Sequence, residues 1–487
     1  MAIENRFDTL VQELKWKVLT AIARGYWDGN LSPEEIDAIP YSISPGPKAT
    51  MRCCIYKERE IVRERIKIAL GGDSKNANLL EVIQAACDQC PFGGITVTDL
   101  CRGCLAHRCA QACHRNAISF GSDLRCRIDK NLCVNCGLCA KACQFGAIVN
   151  NKRPCESACK VNAIHPDVNG ITQIDEERCV RCGQCSYACP FGAIMDKSFI
   201  TKAIDIIRGA EGGKNYKVYM IVAPSIASQL RFVKLGQVVT GIKQLGVQDV
   251  VEAALGADIV AMNEARDLAE EGMCTSSCCP AFVMYVKKAF PELEDKVSKN
   301  LSPMAAIARY IKKNDPTAKT IFAGPCIAKK MEVTRPDSAP YIDCVITFEE
   351  LQALLDSRDI NLKELEESPL DNASYFGRIF ARSGGLSEAV AEALKEQNID
   401  FEVKPVACSG LDQCKVALTQ AKTGRLPGNF IEGMACPGGC IGGPACLTHE
   451  LRAPADVDKY GKLSLETSIQ GAVDSIMADP KIASTKK

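Results

Sequence analysis

The chain has 487 residues, 47% hydrophobic and 24% charged, which describes a globular protein of two to four domains with ample apolar mass for buried cores. Fifty-nine basic residues balance 59 acidic ones without any basic block, so nucleic acid and anionic membrane are poor partners. No run of about 18 apolar residues marks a membrane helix, and the opening MAIENRFDTL lacks the basic and apolar regions of a secretory signal, so a cytoplasmic location is expected.

Cysteine is the outlier. Twenty-nine thiols stand against four histidines, which disfavours both a disulfide framework and mixed Cys/His zinc sites. The balance points to iron held with sulfide in a reducing compartment.

Residues 1–85 are expected to form a helical N-terminal region. Leu10, Leu14, Val18 and Ile22 recur every four residues, with Gly25 as a stop. Ser32-Pro33-Glu34-Glu35 then reads as a second helix start, with Ser32 as cap and Glu35 completing a capping box. This region reads as an adaptor without chemistry. Cys53 and Cys54 have no ligand spacing and stay unassigned.

Residues 86–200 are cysteine-dense and repetitive. CAQACHRNAI (109–118) and CVNCGLCAKACQFGAI (133–148) return as CESACKVNAI (155–164) and CVRCGQCSYACPFGAI (179–194), every matching cysteine shifted by 46. This is a duplicated cluster-binding unit. Cys133, Cys136, Cys139 and Cys143 carry the bacterial ferredoxin spacing, as do Cys179, Cys182, Cys185 and Cys189. In that arrangement three close thiolates hold three irons of a cubane and the fourth reaches the other cluster. The expected sets are therefore Cys133, Cys136, Cys139 with Cys189, and Cys179, Cys182, Cys185 with Cys143. Eight further cysteines suffice for two more 4Fe–4S clusters, making two to four in all. The same exchange rule gives Cys101, Cys104, Cys109 with Cys159, and Cys87, Cys90, Cys155 with Cys113. Cys126 faces Thr172 in the repeat and is not expected to be a ligand, and His107 reads as a surface histidine.

From residue 201 to 487 the texture becomes α/β. YKVYMIVAP (216–224), IFAGPC (321–326) and VITF (345–348) read as short buried strands, with amphipathic stretches such as LSEAVAEALKE (386–396) between them. The expected fold is thus a multidomain α+β and α/β chain: helical segment, ferredoxin-like domain, then a two-lobed α/β domain.

Three segments of that last domain carry the chemistry: CTSSCCPAFV (274–283), AGPCIAKKME (323–332) and EGMACPGGCIGGP (432–444). Together with the clusters before them they resemble the iron–iron (FeFe) hydrogenase family over residues 86–446. The resemblance implies a cubane held by Cys279, Cys326, Cys436 and Cys440, with Cys440 bridging to a two-iron unit carrying carbonyl, cyanide and a dithiolate amine (the H-cluster). It places Lys329, Ala223, Pro224 and Ser225 near the cyanides, and Pro325 and Met434 at the cofactor. It implies a proton path through Cys278, Glu264, Ser298 and Asp267, where Cys278 is the relay if the segment is anchored on Cys-Cys-Pro. Anchoring on Thr275-Ser276 instead makes Ser277 the relay and Cys278 the ligand. The first register also puts Phe282 at the family's tryptophan. Further departures are Gly324 for a methionine and Met304-Ala305 for glutamines. Cys274, Cys344, Cys408, Cys414 and Cys446 read as buried structural thiols. The implied activity is reversible formation of dihydrogen from protons and electrons. Its implied partners are a ferredoxin-type carrier and the maturation proteins that build the cofactor. A non-catalytic or sensory relative is the alternative.

Overall fold

In the computed structural model, which describes residues 6–90 and 94–477, the N-terminal region forms helices Leu10–Asp28, Pro33–Ile43 and Ile55–Ala69. The first outruns the expected stop. Gly25 lies inside it, where a Cβ would come within 2.8 Å of Leu31. The helix ends instead at Gly29, whose left-handed φ of 71° turns its N–H back onto the Gly25 and Tyr26 carbonyls. Ser32 and Glu35 do form the reciprocal capping box. Buried Val18, Leu19 and Ile22 belong to the same core as the later parallel sheet, and this helix packs against Phe348–Ser357. The region is part of the main body rather than an adaptor beside it.

The cysteine-rich region consists of two modules, one nested in the other. In the inner module Ile95–Val97 pairs antiparallel with Ile148–Asn150, and Ile118–Phe120 with Cys126–Ile128. In the outer module Leu80–Val82 pairs with Ile194–Asp196, and Ile164–Pro166 with Thr172–Ile174. The outer module begins before Cys90, gives way to the whole inner module, and resumes at the helix Pro154–Ala158.

Beyond residue 210 lie two parallel sheets. One runs in the order Asp249–Glu252, Val218–Val222, Lys319–Gly324, Cys344–Thr347, and the other Cys274–Thr275, Phe430–Met434, Pro405–Ser409. Their apolar runs suit strands covered on both faces. The long helix Ala253–Glu271 packs against helices Pro303–Asn314, Tyr375–Ile379 and Gly385–Glu396. Ala223, Cys278, Cys326 and Cys436 each follow the carboxyl end of a strand, the usual place for a site in open parallel sheets. Among the described residues no helix is long and apolar enough to cross a membrane.

A buried charge network joins these parts. Lys15 of the first helix meets Asp196 at 2.5 Å and Glu349 at 2.6 Å, while Lys330 meets the other oxygen of Asp196 at 2.7 Å and Glu350 at 2.9 Å. Burial alone would raise the Asp196 carboxyl, but the two ammonium groups hold it well below the usual carboxylate range. Ser198 and the Phe199 N–H donate to Glu350 at 2.6 and 2.8 Å, leaving few unpaired lone pairs. Replacing Asp196 by Ala would leave Lys15 and Lys330 with one carboxylate each, Glu349 and Glu350, and would open a buried gap between them; removing one partner of a buried pair costs up to about 3–5 kcal/mol. The expected result is a correspondingly lower urea midpoint for Asp196→Ala, and an unchanged midpoint would show that the network contributes nothing.

Candidate functional site

The nested topology sorts the thiols. In the inner module Cys101, Cys109, Cys133, Cys139 and Cys143 share one core with Ile95 and Ile148, and Cys113 lies beside Cys139. In the outer module Cys159 is beside Cys179, Cys182 and Cys185, and Cys189 is beside Cys90 and Cys155. The expected exchange of fourth cysteines between the two repeats is therefore wrong. Each fourth cysteine stays within its own module, because strand pairing closes each module on itself. The groupings that follow from these neighbours, with Cys104 and Cys136 placed by their sequence spacing and Cys143 by elimination, are Cys101, Cys104, Cys109 with Cys143; Cys133, Cys136, Cys139 with Cys113; Cys87, Cys90, Cys155 with Cys189; and Cys179, Cys182, Cys185 with Cys159. Cys126, not expected as a ligand, lies against Cys101 and Cys109, and His107 stacks on Phe120. Among the described residues no three of His, Cys, Asp and Glu converge tightly enough for a single metal ion, as is natural where each thiolate meets a different corner of a cubane.

In the α/β half, Cys279, Cys326, Cys436 and Cys440 converge from loops after three different strands. Cys182 of the outer module reaches the same place, close to Cys279 and Cys436. Gln184 beside it donates to the Gly442 carbonyl at 3.3 Å. The close turn at Gly439, with φ at 92° and the Ser383 N–H only 2.7 Å from where a Cβ would stand, excludes any larger residue there.

Next to these thiols is an apolar cavity. Ala223, Pro224, Ser225, Cys278, Lys329, Met434 and Cys440 line it, with Phe322, Phe380, Met304 and Ala257 also on its wall. Pro325 is not on that wall; its carbonyl accepts from the Ala445 N–H at 3.2 Å and holds the Cys440 loop. Lys329 is buried, donating to the Cys278 carbonyl at 3.2 Å and to Glu332 at 2.7 Å. Burial would lower its pKa, but Glu332 and the nearby thiolates outweigh that and hold it raised. The Ser225 hydroxyl is buried without a hydrogen-bond partner.

From Cys278 a polar line leads outward. Burial raises the Cys278 thiol well above its ordinary value, helped by the negative charge of Glu264. Glu264 is itself fully buried on the helix Ala253–Glu271, and neither of its oxygens has a hydrogen bond of good geometry. Burial pushes it up to about 7, against the opposing pull of the nearby Ser298 hydroxyl and Ser277 backbone. Ser298 does not touch Asp267 directly; Asn300 links them, donating to the Ser298 hydroxyl at 3.1 Å and to Asp267 at 2.7 Å. Asn300 carries no motif signal and was legible only once the 298–300 turn was folded. Ser277, the rival relay, turns away and donates to the Asn300 carbonyl at 2.9 Å. It does not line the cavity, whereas Cys278 and Cys279 both do.

Residues 216–444 match the family described as iron only hydrogenase large subunit, C-terminal domain, and residues 127–149 and 172–195 match the 4Fe-4S binding domain. The chain belongs to the FeFe-hydrogenase-like family. Iron hydrogenase 1 of Clostridium pasteurianum is 28% identical over 297 residues, 49% of this chain and 52% of that one. A cytosolic Fe–S cluster assembly factor of Danio rerio is 24% identical over 260 residues, 42% of this chain and 63% of its own. An FeFe-hydrogenase structure from Chlamydomonas reinhardtii superposes with a TM-score of 0.49 at 19% identity, covering 58% of this chain and 94% of that one. The chain spans about half to three fifths of the length of the first curated relatives it matches.

This member of the family carries iron–sulfur cluster motifs, and the cavity residues fit a larger iron group as well. Four converging thiols, a buried ammonium and an orphaned buried hydroxyl are costly in an apolar hole unless a polar, anionic group meets them. Two departures from the family pattern compensate each other locally. The ring of Phe322 comes within 2.5 Å of where a Cβ on Gly324 would stand, so it fills the space vacated there. Phe282, in place of tryptophan, packs flat on Gly433 of the neighbouring strand. The raised Glu264 sets a sign for stability. Glu264 ionises near 4.5 when unfolded and near 7 when folded, so its penalty is absent below pH 4.5 and grows between those values. Above pH 7 the penalty reaches about 3 kcal/mol. Glu264→Gln is therefore expected to raise the urea midpoint relative to the wild type at pH 8 but hardly at pH 5; an equal difference at both pH values would contradict the burial argument.

Proposed function

We propose that the protein is a hydrogenase that interconverts two protons and two electrons with dihydrogen, exchanging electrons with a ferredoxin-type carrier. The observation that carries this reading is the position of Glu264, a fully buried carboxyl without a hydrogen bond of good geometry, set between the Cys278 thiol of the cavity and the Ser298 turn. A general acid–base group works best with a pKa near the working pH, and a protein without turnover has no use for one there.

Cys279, Cys326, Cys436 and Cys440 would hold a cubane, with Cys440 also joining it to a two-iron unit. That group, when bound, supplies the hydrogen-splitting chemistry. Lys329 and the Ser225 hydroxyl would donate to its anionic ligands, an arrangement in which a buried ammonium is compensated on both sides. Phe322, Phe380 and Met304 keep the cavity apolar and exclude water. Cys278 passes a proton between the cavity and Glu264. From there the Ser298 hydroxyl, held in place by the Asn300 amide that also holds Asp267, leads to a surface cavity of about 300 Å³ lined by Ser298 and Asn300.

The four groupings of the nested modules would each hold a 4Fe–4S cluster. The set of Cys159, Cys179, Cys182 and Cys185 neighbours the catalytic thiols and serves as the inner relay. The inner module, with Cys104 and Cys136 exposed, serves as the electron entry.

A second reading, an iron–sulfur assembly factor, is favoured by the Danio rerio relative. Cys278→Ala separates the two. Under the hydrogenase reading infrared bands of iron-bound carbonyl and cyanide persist in the matured variant while hydrogen turnover falls by about 10²-fold or more. Absence of those bands from the matured wild type would favour the assembly factor, and bands lost only in the variant would move the ligand to Cys278. The cluster groupings have their own check. Cys189→Ser should perturb one cubane, that of Cys87, Cys90 and Cys155, and leave the paramagnetic signal of the Cys133 set intact; a disturbed Cys133 set would restore exchange between the repeats.

A further inference from the structure

Arg65, Arg153 and Arg378 are the largest fully buried side chains among the described residues, each 1% exposed. Arg378 is neutralised in the ordinary way, by two 2.8 Å hydrogen bonds to Glu252 and one of 2.5 Å to Asp371. The other two are not. Arg65 donates to the Gly192 carbonyl at 2.5 Å and to the Met195 sulfur at 3.9 Å, and its Nε has no partner. Arg153 donates to the Thr172 hydroxyl at 3.4 Å; its Nε stands 3.8 Å from Glu156, and neither of those two atoms is hydrogen-bonded. A buried guanidinium without a bonded carboxylate costs several kcal/mol unless another negative charge is close.

Both arginines flank one group of thiols. Gly192, which Arg65 grips, follows Cys189 by three residues, and the negative groups acting on Arg65 are Cys189 first and then the carboxylate of Glu349, which is already bonded to Lys15. Arg153 acts on Cys90. Thr172, to which Arg153 donates, lies 3.2 Å from the Cys87 sulfur and 3.9 Å from that of Cys155. The duplication shows that this is particular to the outer module. Forty-six residues earlier, Arg153 is matched by His107 and Thr172 by Cys126. His107 is only half-buried and stacks on Phe120, and the inner module's own arginines, such as Arg102, Arg108 and Arg115, are exposed.

We infer that Arg65 and Arg153 are the counter-charges of the cubane held by Cys87, Cys90, Cys155 and Cys189, and that they raise its reduction potential above those of the other cubanes. A thiolate-bound cubane is anionic, and accepting one electron from a reductant adds one negative charge to it. Fixed cations in a low-dielectric surrounding stabilise that reduced form more than the oxidised one. The Thr172 backbone N–H donates to the Cys87 sulfur at 3.4 Å, and its hydroxyl, held by Arg153, has one hydrogen to offer to a thiolate of Cys87 or Cys155. This cluster is then where an electron resides first, between the entry module and the relay beside the catalytic thiols. The inference rests on the reading that this set holds a cubane.

The test is a reductive titration of the iron-loaded, full-length protein with dithionite, followed by paramagnetic resonance, with iron counted in each variant. In the wild type one cubane signal should titrate at a higher potential than the rest. In Arg153→Gln and Arg65→Gln that signal alone should move to lower potential by at least ten-fold in its one-electron equilibrium, about 59 mV, while Arg153→Lys keeps it within that margin. Iron lost from Arg153→Gln but kept in Arg153→Lys would also support the charge. Loss from both, an unmoved signal, or an equal shift of several signals would overturn the inference. A wild type lacking that cubane would instead overturn the cluster assignment on which it rests.

Discussion

The position of Asp196 constrains everything around it. It ends the last strand of the outer module, and its two oxygens hold Lys15 from the N-terminal helix and Lys330 from the loop that carries Cys326 and Lys329. Three stretches far apart in the chain are thus fixed to one buried carboxylate. The network gives little net stability against a hypothetical apolar replacement, since desolvating five charges is expensive. What it supplies is register. Lys330 cannot move without opening an uncompensated charge, so Lys329 beside it and Cys326 before it are set relative to the outer module, and with them the spacing between Cys182 and the thiols of Cys279 and Cys436.

The two parallel sheets complete that placement. Each delivers its functional residues on loops after carboxyl ends, so no single element builds the cavity. The long helix Ala253–Glu271 contributes small Ala257 to the cavity wall and, two turns on, the buried Glu264. One helix therefore shapes both the apolar hole and a buried carboxyl that lies between the hole and the Ser298 turn. In the proposed hydrogenase, electrons would arrive through the Cys182 set and protons would leave past Glu264 and Ser298, so the two paths use separate elements of the fold.

Much of the candidate site was legible in the sequence because its signals are local. The spacing of Cys274 to Phe282, of Cys326 to Lys329 and of Cys436 to Gly443 survives without knowledge of the fold, and so do the capping box at Ser32 and the strand Val218–Val222. What failed was non-local. Gly25 looked like a helix stop, yet its missing side chain serves contact with Leu31. The exchange of fourth cysteines was assigned to the wrong partners because a repeat of 46 residues says which units are alike, not which strands pair. Pro325 sits in the right motif, but its carbonyl faces the Cys440 loop. Asn300 and Phe322 had no signal at all: Asn300 acquires its place by bonding Asp267, 33 residues before it, and Phe322 by turning into the cavity over Gly324. Arg65 and Arg153 belong to the same class: a buried arginine and an exposed one read alike until the surroundings are known.

The nesting of the two modules has one further consequence. Ile95 is paired with Asn150, and the Asn151 N–H donates to the Gly94 carbonyl at 3.0 Å, so the inner module begins and ends at a single point. No strand pairing or thiol grouping of the outer module uses a residue between 94 and 151. The inner module is in effect a cassette, joined to its host through one narrow doorway. Its removal would join residue 93 to Lys152, keep Arg153, and leave every strand and grouped thiol of the outer module in one stretch of chain, so a chain of this design can gain or lose a whole cysteine module without re-forming the part that touches Cys279 and Cys436.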